Sequence, residues 1–404
     1  LAQVILLQVV FAPLDSEGMA LGSKMAGRIG VQQVRAMFTG GMPPGGRLPG
    51  FWLSAPNIVP VFRKGGDKVP VEAFSIDCRP YQPGTWTETE LFDRMRSTYD
   101  EFGVVRLTNT GLTDAQEMHR YARAVVKKQM KYEGGANPRE GIIENVFEVG
   151  APNDAWLHYH HEMAYNQHSM KNLAFCSIKA TPGKGDTYLS ENISVTDSLM
   201  KTDLGRKLRD KGVCYIRCLT DRDAYEGKGW LQGASVYNHW QLSFGVDTPQ
   251  EAEEVARDCG LDVEWCEDPL KPESKRYMKT KLTISAFEYC PSVGRNVLYS
   301  SIADHNMWFD TWKGVHDVPP AKRPLQMTFG DGTPFTLEEL QQWVSLYDEG
   351  GIRVQWQTGD IVAFCNYRYA HGRPAFTLHK WEERQIGVVL GEKFQRQGTI
   401  EQKW

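Results

Sequence analysis

Four of the ten histidines fall within residues 157–168, in the run LHYHHEMAYNQH. On a strand, residues two apart point to the same face, so His158, His160 and Glu162 share one side and His161 the other. Two imidazoles and a carboxylate on one side form a metal edge, although an H-x-E taken alone is more often an ordinary cluster of surface polar residues. A second cluster lies far along the chain, in GDIVAFCNYRYAHGRPAF at residues 359–376. There Gly359-Asp360 turns into an apolar strand, and His371 follows in a segment flanked by Gly and Pro. Further on, Arg384 opens the apolar run 384–390. A guanidinium leading into a buried strand needs an anion against its desolvation. A structural Asp or Glu would serve, and so would a bound dicarboxylate, whose geometry the guanidinium fork matches in bidentate fashion.

H-x-E, a distant His and then an Arg about a dozen residues later resembles the pattern of the jelly-roll 2-oxoglutarate oxygenases. The stretch from Tyr132 to Phe394 is similar to the taurine dioxygenase / clavaminate synthase branch in particular. Four blocks carry the resemblance: NPREGIIENVFEVG leading to HHEMAY, LAFCSIKATPGKGDTYLSE, FGDGTPFTLEELQQW and GDIVAFCNYRYAHGRPAF. Any one alone is weak, and all four in order are specific. The resemblance implies that His160, Glu162 and His371 are the ligands of an Fe(II) ion, a facial triad that leaves positions open on the metal. It implies that Arg384 binds the distal carboxylate of 2-oxoglutarate, with the Thr187 hydroxyl assisting and Arg373 as a nearby contact without a fixed role. It also implies O2 as the oxidant, hydrogen abstraction from substrate, and release of succinate and CO2. Two departures stand out: Cys365 precedes Asn366 where many relatives carry Asp, and the turn before Thr187 reads Gly183-Lys184-Gly185-Asp186.

These residues must be positioned by some scaffold. Residues 89–102 read as a helix with Leu91, Met95, Thr98 and Phe102 on one stripe and Gly103 as its stop. The strand-like VVRL follows, and residues 113–126 look like a second helix. Thr248-Pro249-Gln250-Glu251 is a capping box with Pro at the first helical position, and Thr336-Leu337-Glu338-Glu339 repeats the capping signal. LAFCSI, IVAFC and IGVVL are short β-rich runs. Such strands do not alternate regularly with helices, which argues against a doubly wound sheet. The expected fold is mainly β with helical insertions, a double-stranded β-helix (jelly roll) core flanked by helices. The Gly- and Pro-dense residues 40–50 read as a linker, which places an N-terminal extension at 1–70 and the oxygenase domain at 71–404.

The chain has 404 residues, 41% hydrophobic and 24% charged, with a net charge of −4. That is the profile of a globular protein with a sizeable core, and it offers no basic footprint for nucleic acid. A small molecule is the expected partner. The eight cysteines include no C-x-x-C pair, and buried reduced thiols at Cys176 and Cys365 suit a reducing compartment. Residues 1–13 are strongly apolar but too short for a bilayer, and they lack a basic n-region, so no transmembrane span is expected. A cytoplasmic location, or an organelle lumen after removal of a targeting segment, fits these features.

The aromatic segment 289–312 borders the substrate pocket by resemblance. Tyr299, Ser301, His305, Trp308 and Phe309 would either shape a lid or pack as core. The resemblance implies a small polar substrate, carboxylate- or amino-acid-like, undergoing hydroxylation, desaturation or oxidative cyclisation. A looser resemblance, to algal enzymes that close the kainoid ring, is tied to no motif. Two other readings remain open on the residues alone: a cupin-like metal enzyme using His158, His160 and Glu162 without 2-oxoglutarate, and a non-catalytic binding protein. The H-E-x-x-H zinc motif is absent, since His161-Glu162 is followed by Met163-Ala164-Tyr165.

Overall fold

The structure, a computed structural model, describes residues 69–396 except 86, 131–140, 150–152, 154–155, 226–238, 268–275 and 302–324. The expected extension and its linker, apart from residues 69 and 70, lie outside the described residues, as do His305, Trp308 and Phe309.

A seven-stranded sheet is built, in spatial order, from β1 (Ser75–Asp77), β2 (Val104–Thr108), β15 (Ile361–Cys365), β6 (His168–Lys179), β17 (Gln385–Gln395), β4 (Val146–Glu148) and β3 (Gly141–Ile143). A four-stranded sheet takes the order β14 (Gly351–Val354), β7 (Thr187–Glu191), β16 (Tyr369–Arg373) and β5 (Leu157–His160). A second four-stranded sheet joins β13 (Leu325–Phe329), β8 (Val213–Leu219), β10 (Tyr277–Ile284) and β9 (Asp262–Cys266), and β11 (Phe287–Cys290) pairs with β12 (Arg295–Leu298). Only β1 and β2 pair in parallel among the described strands. Several helices accompany these sheets, and no doubly wound arrangement occurs among the described residues.

The central strands of the seven-stranded sheet are buried on both faces, which explains why they read as unbroken apolar runs. Successive side chains alternate faces. Leu173, Phe175, Val362, Phe364, Val388 and Leu390 enter the main core. Their neighbours Ala174, Cys176, Ile361, Ala363 and Val389 enter a second core. Leu91 and Met95 of the helix Thr87–Phe102, and Met118 and Tyr121 of the helix Ala115–Ala122, cover that second face. No disulfide joins any of the eight cysteines, and Cys176 and Cys365 are buried.

Most expected elements form, with informative differences at their ends. Both capping boxes are made, by Thr248 with Glu251 and by Thr336 with Glu339. The helix expected over 113–126 is confined to Ala115–Ala122, with Asp114 accepting from the Glu117 amide at 3.0 Å. The chain leaves it early because Met130 N–H donates to Leu390 O at 3.0 Å and Gln129 bridges Gly391, so the segment extends along β17. β6 and β17 run well past the LAFCSI and IGVVL runs, paired from Gln385–Lys179 to Gln395–His168.

One expectation at the site needs correcting. His158, His160 and Glu162 do not share a strand face, because β5 stops at His160 and Glu162 lies in the turn that follows. The main chain is drawn out of the ladder there: His161 N–H donates to Ser300 O at 3.0 Å, and Glu162 N–H to the Asn366 side chain at 3.0 Å.

Candidate metal and dicarboxylate site

The register of the four-stranded sheet brings the distant histidines together. His371 on β16 is the direct cross-strand partner of His160 on β5 and of Leu189 on β7. Directly paired residues share a face, so both imidazoles point the same way, and their ring centroids are 4.2 Å apart. Glu162 reaches the same spot from its turn, with Oε2 3.7 Å from His371 Nε2. One ligand atom each from His160, Glu162 and His371 lie within 4.8 Å of one another. Glu162 and His371 are buried, and His160 is partly open.

The surroundings fix how these donors are presented. His160 Nδ1 lies 2.7 Å from the His158 carbonyl oxygen, to which only a protonated nitrogen can donate, so Nε2 is left with its lone pair. His371 is flanked by Phe175 at 5.4 Å and Phe364 at 5.6 Å, both edge-on and both from the seven-stranded sheet, which excludes water from that side. His158 is fully buried, and burial pushes its imidazole down to about 3, so it stays neutral, outside the three-residue group. His161 faces the other way: it stacks on Tyr299 at 4.8 Å, accepts from Ser300 N–H at 3.0 Å, and is also held down to about 3 by burial.

Thr187, two residues before Leu189 on β7, and Arg373, two residues after His371 on β16, share the face of the histidines. The Thr187 hydroxyl oxygen accepts from Trp356 Nε1 at 3.1 Å. Arg373 donates to Asn153 O at 3.1 Å and lies over the Phe376 ring at 4.8 Å. Arg384 covers the same ring at 5.2 Å. Its one hydrogen bond among the described residues runs from Nε to Gly185 O at 3.2 Å, and no carboxylate pairs with it there. The nearest candidate, Asp186, is engaged by Arg353 at 2.6 Å, and burial pushes Arg384 down to about 10. Of the two anions that could offset its desolvation, the structural one is therefore missing among the described residues.

The arrangement unites two imidazoles and a carboxylate as a potential metal site, and beside them a half-buried cation in want of an anion. The taurine catabolism dioxygenase TauD, TfdA family model matches residues 76–386. The chain belongs to this family. It is a 2-oxoglutarate-dependent non-haem iron dioxygenase, and its cofactors are Fe(II), 2-oxoglutarate and O2. Among curated relatives, a clavaminate synthase-like protein of Arabidopsis thaliana is 27% identical over 69% of this chain and 80% of its own length. The dapdiamide synthesis protein DdaC of Enterobacter agglomerans is 21% identical over 72% and 82%. Two solved structures resemble the chain more distantly. PvcB from Pseudomonas aeruginosa has a TM-score of 0.42 and 13% identity, over 78% of this chain and 84% of that one. A taurine dioxygenase from Burkholderia xenovorans has a TM-score of 0.42 and 13% identity, over 81% and 92%. Likeness at that level adds nothing to the TauD/TfdA match. Among the described residues, no helix is long and apolar enough to cross a membrane.

Some neighbours of the site were not legible from sequence. Tyr299 and Ser301, weighed as lid or core, are fully packed: Tyr299 OH lies 2.5 Å from Ser169 Oγ, and Ser301 Oγ donates to His161 O at 3.1 Å. Asn366 stands out only through its unusual neighbour Cys365, yet its side chain holds the Glu162 backbone. The signal available was an Asn inside an apolar strand-turn-strand block, where a buried amide requires partners.

Proposed function

We propose that His160, Glu162 and His371 hold the iron, that Arg384 with Thr187 receives the distal carboxylate of 2-oxoglutarate, and that Arg373 supports the same pocket. The observation that carries this reading is the convergence of the three ligand atoms within 4.8 Å from a strand, a turn and a distant strand. The donor set suits iron, being two neutral nitrogens and one carboxylate with positions left for exogenous ligands. The half-buried guanidinium of Arg384 suits a carboxylate, which would offset the desolvation that depresses it. The seven-stranded sheet and the histidine-bearing sheet are taken as the two walls of a double-stranded β-helix within one oxygenase domain at 71–404, with 1–70 as an extension.

Iron, 2-oxoglutarate and O2 together supply an oxidant that abstracts hydrogen from substrate, with succinate and CO2 released. The chain's own residues present His160 Nε2 through the Nδ1–H hydrogen bond, keep water from His371 with Phe175 and Phe364, and orient the dicarboxylate through Arg384. The substrate in this reading is a small polar metabolite carrying a carboxylate or amino group, oxidised by hydroxylation, desaturation or cyclisation. Support for that class comes from the family's namesake, taurine, a small zwitterion.

The test is an anaerobic titration with Fe(II) followed by 2-oxoglutarate, watching for the visible metal-to-ligand charge-transfer band. Wild type is expected to develop the band and His160→Ala to lack it. A well-folded wild type that binds Fe(II) without any band on adding 2-oxoglutarate would overturn the assignment.

A further inference from the structure

Glu162 is held in an unusual way. Strand residues satisfy their backbone groups through the ladder, but both backbone groups of Glu162 are satisfied by side chains. Its N–H donates to Asn366 Oδ1 at 3.0 Å. Its carbonyl oxygen accepts from Asn366 Nδ2 at 3.1 Å and from Ser169 Oγ at 2.9 Å. The next residue, Met163, adopts a φ of +54°, a left-handed conformation that a side chain such as Met rarely takes unless its surroundings impose it.

Asn366 is equipped to impose it. It is fully buried in the turn between β15 and β16, and its own N–H donates to Lys171 O at 2.7 Å. Its amide orientation is fixed by the Glu162 N–H, which only the oxygen can accept. Nδ2 also reaches Met170 O at 3.0 Å and the Tyr299 hydroxyl. The strand that leaves this turn carries His371. One amide therefore ties the turn bearing Glu162 to the hairpin bearing His371, across the 3.7 Å gap between their ligand atoms.

We infer that Asn366 is the positioning residue of the metal centre: its bidentate hold on the Glu162 peptide sets where the carboxylate stands relative to His371. This inference rests on the reading of Glu162 and His371 as ligands given above. Asn366 acts on the metal only through Glu162, and its removal is expected to weaken and distort metal binding while leaving the Arg384 pocket intact.

The experiment compares wild type, Asn366→Ala, Asn366→Asp and Glu162→Ala by anaerobic Fe(II) titration, by the charge-transfer band with 2-oxoglutarate at saturating Fe(II), and by amide hydrogen exchange of the metal-free proteins. Asn366→Asp keeps the shape and the acceptor for Glu162 N–H but turns an oxygen toward the Glu162 and Met170 carbonyls. Both Asn366 variants are expected to bind Fe(II) about 10–100-fold more weakly, the usual consequence of losing a group that orients a ligand. Their charge-transfer maxima are expected to shift, with 2-oxoglutarate affinity at saturating Fe(II) unchanged. The Glu162 amide should exchange faster in metal-free Asn366→Ala. Glu162→Ala losing Fe(II) while Asn366→Asp matches wild type in affinity and band would overturn the inference and leave the ligand assignment standing. Failure of both Asn366 variants to fold would also overturn it, since the amide would then hold the fold rather than the ligand. Wild-type Fe(II) affinity in Glu162→Ala would overturn the ligand assignment itself, and the inference with it.

Discussion

At the scale of single residues, the role proposed for Arg384 sets binding against the stability of the empty protein. Its guanidinium is buried enough to be pushed down to about 10, with Asp186 and Glu148 acting only at a distance and Asp186 already paired with Arg353. A half-buried charge without a paired counterion is a standing cost that an apolar side chain of similar length avoids. Arg384→Met is therefore expected to stabilise the ligand-free protein by about 1–2 kcal/mol, in line with replacements of buried charges by apolar residues. The same variant should abolish the rise in melting temperature that 2-oxoglutarate gives wild type, because ligand binding stabilises only the state that binds it. Thermal melts of both proteins with and without 2-oxoglutarate check both signs. A destabilised ligand-free Arg384→Met would mean that the guanidinium already has its anion in the empty protein.

Turns and strands decide which of these residues were legible in advance. Helix starts were readable because capping is local: Thr248 and Thr336 meet partners three residues away. The apolar runs were readable as strands, but not their full extent, since β6 and β17 continue through polar residues that hydrogen-bond to each other. His160 and His371 could be singled out by type, whereas their pairing depends on a strand register made 211 residues apart and visible only in the fold. Glu162 was assigned to a strand because period-two spacing cannot report that Ser300 and Asn366 capture the backbone. The turn at 183–187 carries the clearest expectation at this scale. Gly185 has a φ of +66°, and a Cβ there would sit 2.4 Å from Arg384 Nε. The Lys184–Glu382 ion pair at 2.6 Å ties this turn to the segment that delivers Arg384, so the clash is met by displacing the Arg384 side chain. Gly185→Ala should thus weaken 2-oxoglutarate binding by about tenfold or more, since a displacement of about 1 Å in a positioned group has large effects. Fe(II) affinity should stay at the wild-type value, because His160, Glu162 and His371 are carried by β5, the turn after it and β16 rather than by this turn. Isothermal titration with each ligand in turn separates the two, and equal losses of both would contradict the division of the site into a metal half and a dicarboxylate half.

Across the whole molecule, one buried cation joins parts of the chain that no local pattern relates. Arg396 follows β17 and is 0% exposed at its side chain, paired with Glu288 of β11 at 2.9 Å. It also donates to Ser285 O at 2.8 Å, to Tyr299 O at 3.3 Å and to Ala164 O, and its guanidinium lies 5.0 Å over the Tyr299 ring. These partners are 97 to 232 residues away in sequence, which is why the residue gave no sign of importance when read along the chain. The family match ends at residue 386, ten residues short of it. Through Ala164 and Tyr299, Arg396 braces the far side of the turn that carries Glu162. Removing one member of a buried pair leaves the other charge without compensation, at about 3–5 kcal/mol. Arg396→Met should therefore lower the unfolding free energy by that much, whereas Arg396→Met with Glu288→Gln removes both charges and should recover a large part of the loss. Because the brace reaches the turn of Glu162 from behind, its loss should weaken Fe(II) binding, so saturating Fe(II) stabilises the variant less than wild type and widens the gap between them. Denaturant titrations of the three proteins with and without Fe(II) measure both effects. An equal gap in the two conditions would show that Arg396 supports the core independently of the metal centre.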